Sequence, residues 1–203
     1  MLSSAILPKT LDLETFIANY GDDEQYELID GELIEMEPTG PHEQVSAFAS
    51  RKLNAQIDRY DLPYFIPQRC LIRPMESISA FRPDLVVLDE RELQHEPRWQ
   101  REPVITLGTT VKLAIEVVST NWQNDYARKY EDYETFGIPE FWIVDYLGIG
   151  GKYYIGSPKQ PTLTLGHLIK GVYQKTLLRR EDRIKSLIFP ELDLRVDRLF
   201  RFG

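Results

Sequence analysis

Two acidic residues and one lysine are the side chains of this sequence whose types and positions suggest a common chemistry. Glu116 lies inside the apolar run KLAIEVVST, residues 112–120, which is typical of a strand covered on both faces. An unpaired carboxylate buried there would cost several kcal/mol, so we expect Glu116 to meet a cation, a base or a proton. Asp84 stands at the head of a similar strand, RPDLVVLDE, residues 82–90. If the two strands pair, their carboxylates can lie side by side, with a divalent cation or a shared proton between them.

Lys129 is the third of these side chains. On a helical wheel it falls near the centre of an aromatic stripe that runs from Trp122 to Phe136. Such a face should pack on the sheet, where a lysine is unusual. Lys129 can extend past the rings to solvent or pair with Asp125 one turn earlier. Alternatively, it points into the carboxylate pocket, where it would orient a water molecule or neutralise charge developing on a phosphate.

An ion held by Asp84 and Glu116 would have oxygen ligands, because the sequence has no His or Cys cluster beside them. Oxygen ligands favour a hard ion such as Mg²⁺ over Zn²⁺.

Among the histidines, His42 is close to a helix start, which favours a satisfied, partly buried residue over a phosphate contact. His95 and His167 are expected on the surface or in packing.

Apolar periodicity places these side chains on a mixture of strands and helices. Residues 26–36, YELIDGELIEM, alternate around Asp30-Gly31, which is a strong hairpin signal. Thr10 is expected to cap a first helix, and residues 91–103 to form an exposed loop. The longer elements predicted are helices at about 41–60 and 122–136 and strands at 64–72, 84–88, 113–119 and 140–147.

We therefore predict one α/β domain over residues 1–203. Its central mixed sheet would be flanked by the two long helices. An N-terminal hairpin and extra C-terminal strands would complete this α+β arrangement.

The overall charge limits the classes of partner. The chain has 203 residues, with 24 Lys and Arg against 32 Asp and Glu, a formal net charge of −8. No overall positive field draws it to DNA or to an anionic membrane, although an enzyme with a local basic groove and a divalent cation is compatible with this charge. One cysteine, Cys70, excludes an internal disulfide and fits a reducing cytosol. The sequence begins without signal-peptide features and has no membrane-length apolar run, so we expect a cytoplasmic protein.

Four stretches resemble the PD-(D/E)XK nuclease superfamily, specifically its Uma-type branch of restriction-endonuclease-like proteins. They are YELIDGELIEM (26–36), RPDLVVLDE (82–90), LAIEVVST (113–120) and NDYARKYEDYETFGIPEFWIVD (124–145). The most specific combination is E-V-x-S followed by Asp125, Lys129 and Tyr133 and then by G-I-P-E-F-W-I-V-D. The superfamily's short motif has its lysine two residues after the second acid, where this chain has Val118. In the Uma-type branch the next helix supplies the lysine, and Lys129 matches that place.

The resemblance implies a Mg²⁺-dependent endonuclease that hydrolyses phosphodiester bonds of DNA, with a restriction-endonuclease-like core. Asp84 and Glu116 would bind the metal, with the carbonyl of Val117 as a further ligand, and Lys129 would be the catalytic lysine. Glu27 would add another catalytic carboxylate, although its place on the acidic face of the hairpin predicts an ordinary solvated charge. A homodimer is also implied, because many nucleases of this kind use two sites for two strands.

Two other functions remain open at this point. The acidic balance favours a nuclease fold retained as a nonenzymatic binding or assembly module, since even the segment LRREDRIK, residues 178–185, mixes its basic residues with acids. A metal-dependent hydrolase of small phosphate compounds would also suit an acidic protein.

Overall fold

Helices and strands alternate through the computed structural model, which describes residues 10–74 and 77–202. The α-helices are α1 (Leu13–Tyr20), α2 (Gly40–Tyr60), α3 (Lys129–Phe136), α4 (Lys152–Ile155) and α5 (Asp197–Phe200). The strands are β1 (Tyr26–Ile29), β2 (Glu32–Glu35), β3 (Tyr64–Phe65), β4 (Leu71–Ile72), β5 (Leu85–Asp89), β6 (Val104–Ile105), β7 (Val111–Val117), β8 (Glu140–Asp145), β9 (Thr162–Ile169) and β10 (Val172–Leu178). Within the described ranges, no helix is both long and apolar enough to cross a membrane. Residues 1–9, on which the signal-peptide expectation partly depends, lie outside the described residues.

A six-stranded sheet in the order β10-β9-β8-β7-β5-β3 carries the predicted site strands. Strands β7 and β8 run parallel, and the other neighbouring strands run antiparallel, so the predicted mixed sheet is confirmed. Two parallel neighbours require a crossover connection. Here the crossover leaves β7, passes through a π-helical turn (Asn124–Arg128) and α3, and returns to β8. Lys129 therefore lies on the connection between the two central strands.

The two faces of β7 belong to two different hydrophobic layers. Ile115 and Val117 pack in the layer that contains the apolar stripe of α2. Ala114 and Val118 pack in the opposite layer, together with Tyr133 from α3. This alternation is what the strand periodicity predicted, and it turns Glu116 toward the layer of α3. Helices α2 and α3 thus flank the sheet from opposite sides.

The N-terminal hairpin forms around the predicted turn, because Asp30 and Gly31 both adopt positive φ angles, 52° and 81°. Its strands β1 and β2 pair with each other outside the six-stranded sheet. A two-way backbone bridge between Leu28 and Ala80 ties the hairpin to the segment that leads into β5. The hairpin is thereby held beside the start of β5.

Two local predictions are wrong in detail. Asp12, rather than Thr10, caps α1, and it accepts a hydrogen bond of 2.9 Å from the amide of Thr15. The predicted strand at 64–72 is divided into β3 and β4, because Pro67 cannot donate to a ladder, and β4 pairs with β6 instead of entering the large sheet. The predicted helix at 122–136 is present, with the π-helical turn inside it at residues 124–128.

The loop at 91–103 is anchored more firmly than an exposed loop would be. Glu96 is buried and accepts hydrogen bonds from the amides of Thr106 and Leu107 and from the hydroxyls of Thr106 and Thr110. Four donors satisfy this carboxylate without a cation, so its role is to fix the loop.

Candidate active site

The two predicted acids lie opposite each other where β5 begins and β7 ends. Leu85 pairs with Ile115 in the antiparallel ladder, which places Asp84 across from Glu116. The Asp84 carboxylate accepts, through Oδ2, a hydrogen bond of 2.6 Å from the amide of Val117. The side chain of Asp84 is 22% exposed and that of Glu116 only 2%. Asp84 therefore lies nearer to solvent and Glu116 at the bottom of the same site.

Both oxygens of Glu116 accept hydrogen bonds from the crossover. Lys129 Nζ donates to Oε2 at 2.9 Å, and the hydroxyl of Tyr133 donates to Oε1 at 2.8 Å. All three residues are buried. Lys129 thus points into the carboxylate pocket, and the alternative in which it extends past the rings to solvent is wrong.

The π-helical turn at Asn124–Arg128 explains how Asp125 joins the group. The amide of Lys129 donates to the carbonyl of Asn124, an i to i+5 bond that widens the turn. Asp125 Oδ1 then lies 3.6 Å from Lys129 Nζ. The pairing with Asp125 and the pocket position, which the sequence offered as alternatives, therefore occur together.

Glu27 is buried beside Lys129, so the prediction of a solvated charge is wrong. Its Oε1 lies 3.1 Å from Lys129 Nζ and accepts a hydrogen bond of 2.6 Å from the amide of Arg82. The Arg82 guanidinium donates to main-chain carbonyls of Tyr20, Gly21 and Tyr26. These bonds hold the hairpin and α1 against the residues just before Asp84. Glu27 is thereby placed inside the protein, next to Lys129.

Helix α2 contacts Asp84 from the other face of the sheet. His42 Nε2 lies 3.2 Å from Asp84 Oδ2, and the hydroxyl of Ser46, one turn later, donates to the Asp84 carbonyl at 3.0 Å. His42 is buried, while its Nδ1 finds no hydrogen-bond partner among the described residues and lies 3.5 Å from Glu43 Oε1. Burial lowers the pKa of His42, but Asp84, Glu43 and the Val117 carbonyl raise this pKa above its ordinary value overall.

Three side chains of the site were not assigned to it by the sequence analysis. Tyr133 belongs to the aromatic stripe that was expected to pack on the sheet, and it does pack there, but its hydroxyl also donates to Glu116. The spacing of four residues from Lys129 was the available signal. Arg82 and His42 gave no comparable signal, because their contacts depend on tertiary structure.

Burial and crowding of like charges determine the protonation of the group. Burial raises the pKa of Glu116 well above its ordinary value and that of Asp125 to about 7, although Lys129 opposes both shifts. Burial also lowers the pKa of Lys129, but the surrounding carboxylates, led by Glu116 and Glu27, raise it more. Lys129 is therefore an ammonium at neutral pH.

A family model described as "Putative restriction endonuclease", named Uma2, matches residues 11–197. The chain belongs to the Uma2 family. This confirms the resemblance to Uma-type, restriction-endonuclease-like proteins. No curated protein matches the chain.

A solved structure shares the fold of this Uma2 chain. It is described as a putative nuclease belonging to DUF820 from Anabaena variabilis. The structural alignment covers 95% of this chain and 98% of that chain, with a TM-score of 0.70. The two sequences are 15% identical, so the likeness concerns the fold alone. The predicted α/β class with a nuclease-like core is confirmed.

The side chains of this Uma2 site fit a Mg²⁺-type ion in kind. Within the described ranges, no group of three or more His, Cys, Asp or Glu side chains is arranged to hold a metal by itself. Mg²⁺ is usually held by one or two carboxylates, with water and substrate phosphate completing its shell. Each Glu116 oxygen accepts one protein hydrogen bond and retains a second lone pair. Four carboxyl groups surround one ammonium, and a bound divalent ion would favour their ionised forms, which burial opposes at Glu116 and Asp125.

Proposed function

We propose that the protein is a divalent-metal-dependent endonuclease that hydrolyses phosphodiester bonds of DNA, with Mg²⁺ as the ion. One observation carries this proposal. The Lys129 ammonium lies 2.9 Å from Glu116 while Asp84 is bonded to the amide of the next residue, Val117. Two acids and a lysine from three separate elements thus meet at one end of β7. The family description supports nuclease activity rather than another use of the fold.

Asp84 and Glu116 would hold the ion, and the Val117 carbonyl would be a further ligand. When bound, the ion would lower the pKa of a water molecule and screen the phosphate charge. Glu116 is fixed by Lys129 and Tyr133, and Asp84 by Val117, so the protein holds both acids in place before substrate arrives. Prearranged groups of this kind lower the cost of reorganisation during the reaction.

Lys129 would act as a cation and hydrogen-bond donor rather than as a base. The carboxylates around it keep its pKa above the ordinary value, so it has no lone pair to accept a proton. An ammonium in a buried site can orient the attacking water and stabilise negative charge on the nonbridging oxygens of the phosphate. Glu27 and Asp125 would hold Nζ in position, at 3.1 and 3.6 Å.

The substrate and the assembly belong to the same proposal. The net charge of −8 gives no general attraction to DNA, so binding would depend on local contacts and on the ion. We propose a homodimer, in which two sites would address the two strands of a duplex. We also propose a cytoplasmic location, where the buried Cys70, whose pKa burial raises to about 12, would remain a thiol.

The proposal is tested by cleavage of plasmid DNA at fixed low salt, with Mg²⁺, with Mn²⁺ and with EDTA. Wild type is compared with Asp84→Asn and Lys129→Ala, and with Asp58→Asn as a control, because Asp58 is an exposed acid on α2. Wild type and the control should cleave with either ion and stop in EDTA. Both site variants should lose cleavage by at least about a hundredfold, since each removes charge stabilisation.

Equal cleavage by all four proteins would refute the assignment. Parallel reactions with single-stranded RNA and with nucleotides, at the same ionic strength, test the substrate class. Turnover of nucleotides without cleavage of duplex DNA would replace the endonuclease by a hydrolase of small phosphate compounds. Light scattering during size-exclusion chromatography tests the homodimer separately.

A further inference from the structure

We propose that His42 is a positioning residue for Asp84, which holds Oδ2 so that Oδ1 is the single oxygen that Asp84 offers to a divalent ion. This inference rests on the proposed function and adds to it a residue from α2, on the face of the sheet opposite to Lys129. The contact that carries it is the 3.2 Å approach of His42 Nε2 to Asp84 Oδ2.

Asp84 is held at three points. Its Oδ2 accepts a hydrogen bond from Val117 at 2.6 Å and is approached by His42, while its carbonyl accepts one from Ser46 at 3.0 Å. His42 and Ser46 are four residues apart, so they project from the same side of α2. One helix thus contacts both the side chain and the main chain of the predicted ligand.

The position of His42 also suits this role. Thr39 caps α2, and its hydroxyl accepts a hydrogen bond from the His42 amide at 3.4 Å, so the imidazole lies in the first turn of a 21-residue helix. The side chain is 6% exposed, whereas that of Asp84 is 22% exposed. His42 therefore lies behind the carboxylate rather than in front of it.

The contacts favour a donor role for the imidazole over direct ligation. Nε2 lies 3.2 Å from the Asp84 carboxylate, whereas Nδ1 has no hydrogen-bond partner among the described residues and lies 3.5 Å from Glu43. A nitrogen that donates to a carboxylate has no lone pair for a metal. Partners that orient a ligating carboxylate typically change metal affinity by about 10- to 100-fold when they are removed.

The test is calorimetric titration of the full chain with Mn²⁺ alone, without nucleic acid. Three variants are compared with wild type. His42→Gln keeps an N–H donor at about the distance of Nε2, whereas His42→Leu and His42→Phe remove it with different side-chain volumes. His95→Gln is the control, because His95 is exposed on the loop after β5. Circular dichroism and urea unfolding establish that each protein is folded.

We expect the Leu and Phe variants to bind Mn²⁺ about 10- to 100-fold more weakly, and the Gln variant to remain within a few-fold of wild type. Unchanged affinity in the Leu and Phe variants would overturn the inference while leaving the metal site in place. A loss in the Gln variant as large as in the other two would also overturn it, since the imidazole itself would then be a ligand. If neither His42→Leu nor His42→Phe folds, His42 is a core residue and the inference fails. A wild type that binds no Mn²⁺ would instead overturn the proposed function, and this inference with it.

Discussion

Lys129 Nζ lies 2.9 Å from Oε2 of Glu116, and this contact joins a central strand to the crossover that follows it. The four surrounding acids stabilise the buried ammonium of Lys129. The ammonium in turn compensates the negative charge of the acids, which would otherwise be costly to bury. The relationship makes the site a single electrostatic unit. Substitution of one of these residues should therefore change the pKa values of the others.

Replacing the lysine should expose this dependence directly. Lys129→Met leaves Glu116, Glu27 and Asp125 buried without a cation, so the free energy of unfolding at pH 8 should fall by about 3–5 kcal/mol. The loss should shrink toward pH 5, because protonation neutralises the carboxyl groups. Urea titrations over this pH range measure both effects. Lys175→Met, at an exposed position on β10, is the control, and equal stability of the two variants would contradict the prediction.

The hydroxyl of Tyr133 should matter independently of its ring. Tyr133→Phe keeps the packing but leaves Oε1 of Glu116 without its 2.8 Å donor. A buried acceptor left without its donor costs about 1–3 kcal/mol, so the free energy of unfolding should fall by that amount and DNA cleavage should weaken. The comparison is Tyr153→Phe, whose side chain is largely in solvent. If the two substitutions have the same effect, the hydroxyl of Tyr133 contributes nothing specific.

Asp125 should give the protein a distinctive pH dependence in the absence of metal. Burial raises its pKa from 3.8 to about 7, so the folded state favours the protonated form. Its contribution to stability is therefore complete below about pH 4 and is lost as the pH rises to about 7, with a slope of at most about 1.4 kcal/mol per pH unit. Asp125→Asn should remove this part of the slope in urea unfolding measured in EDTA. Glu131→Gln, an exposed acid on α3, should keep it, and an unchanged slope in Asp125→Asn would show that another group titrates.

The sequence predicted the parts of the site that depend on local pattern. Strand alternation placed Glu116 on one face of β7, and helical spacing placed Lys129 on the buried side of the crossover. Glu27 and His42 could not be placed in this way, because their positions depend on contacts made through Arg82 and through the packing of α2 on Asp84. Those are tertiary contacts without a local signature.

A buried acid does not by itself mark a functional site in this protein. Glu140, at the head of β8, is fully buried, yet the indole of Trp142 and the amides of Leu187 and Ile188 satisfy it without a lysine. Glu96 is another buried acid satisfied by neutral donors. The nature of the partner therefore distinguishes a candidate site from a structural carboxylate. Glu116 accepts from the Lys129 ammonium as well as from a hydroxyl, whereas amide, indole and hydroxyl groups donate to the other two acids, and His167 Nε2 lies 3.5 Å from Glu140.

This distinction predicts different effects on metal binding for two buried acids on neighbouring strands. Glu116→Gln should weaken Mn²⁺ binding more than tenfold, because it replaces a carboxylate proposed to hold the ion. It should also lower the free energy of unfolding by about 1–3 kcal/mol, because the amide offers a single acceptor oxygen to two buried donors, Lys129 and Tyr133. Glu140→Gln should bind Mn²⁺ normally. Its free energy of unfolding should fall by about 1–3 kcal/mol, because one of the buried donors to Glu140 is left without an acceptor. Titration calorimetry and urea unfolding of the pair measure both quantities, and normal Mn²⁺ binding by Glu116→Gln would show that Glu116 is structural as well.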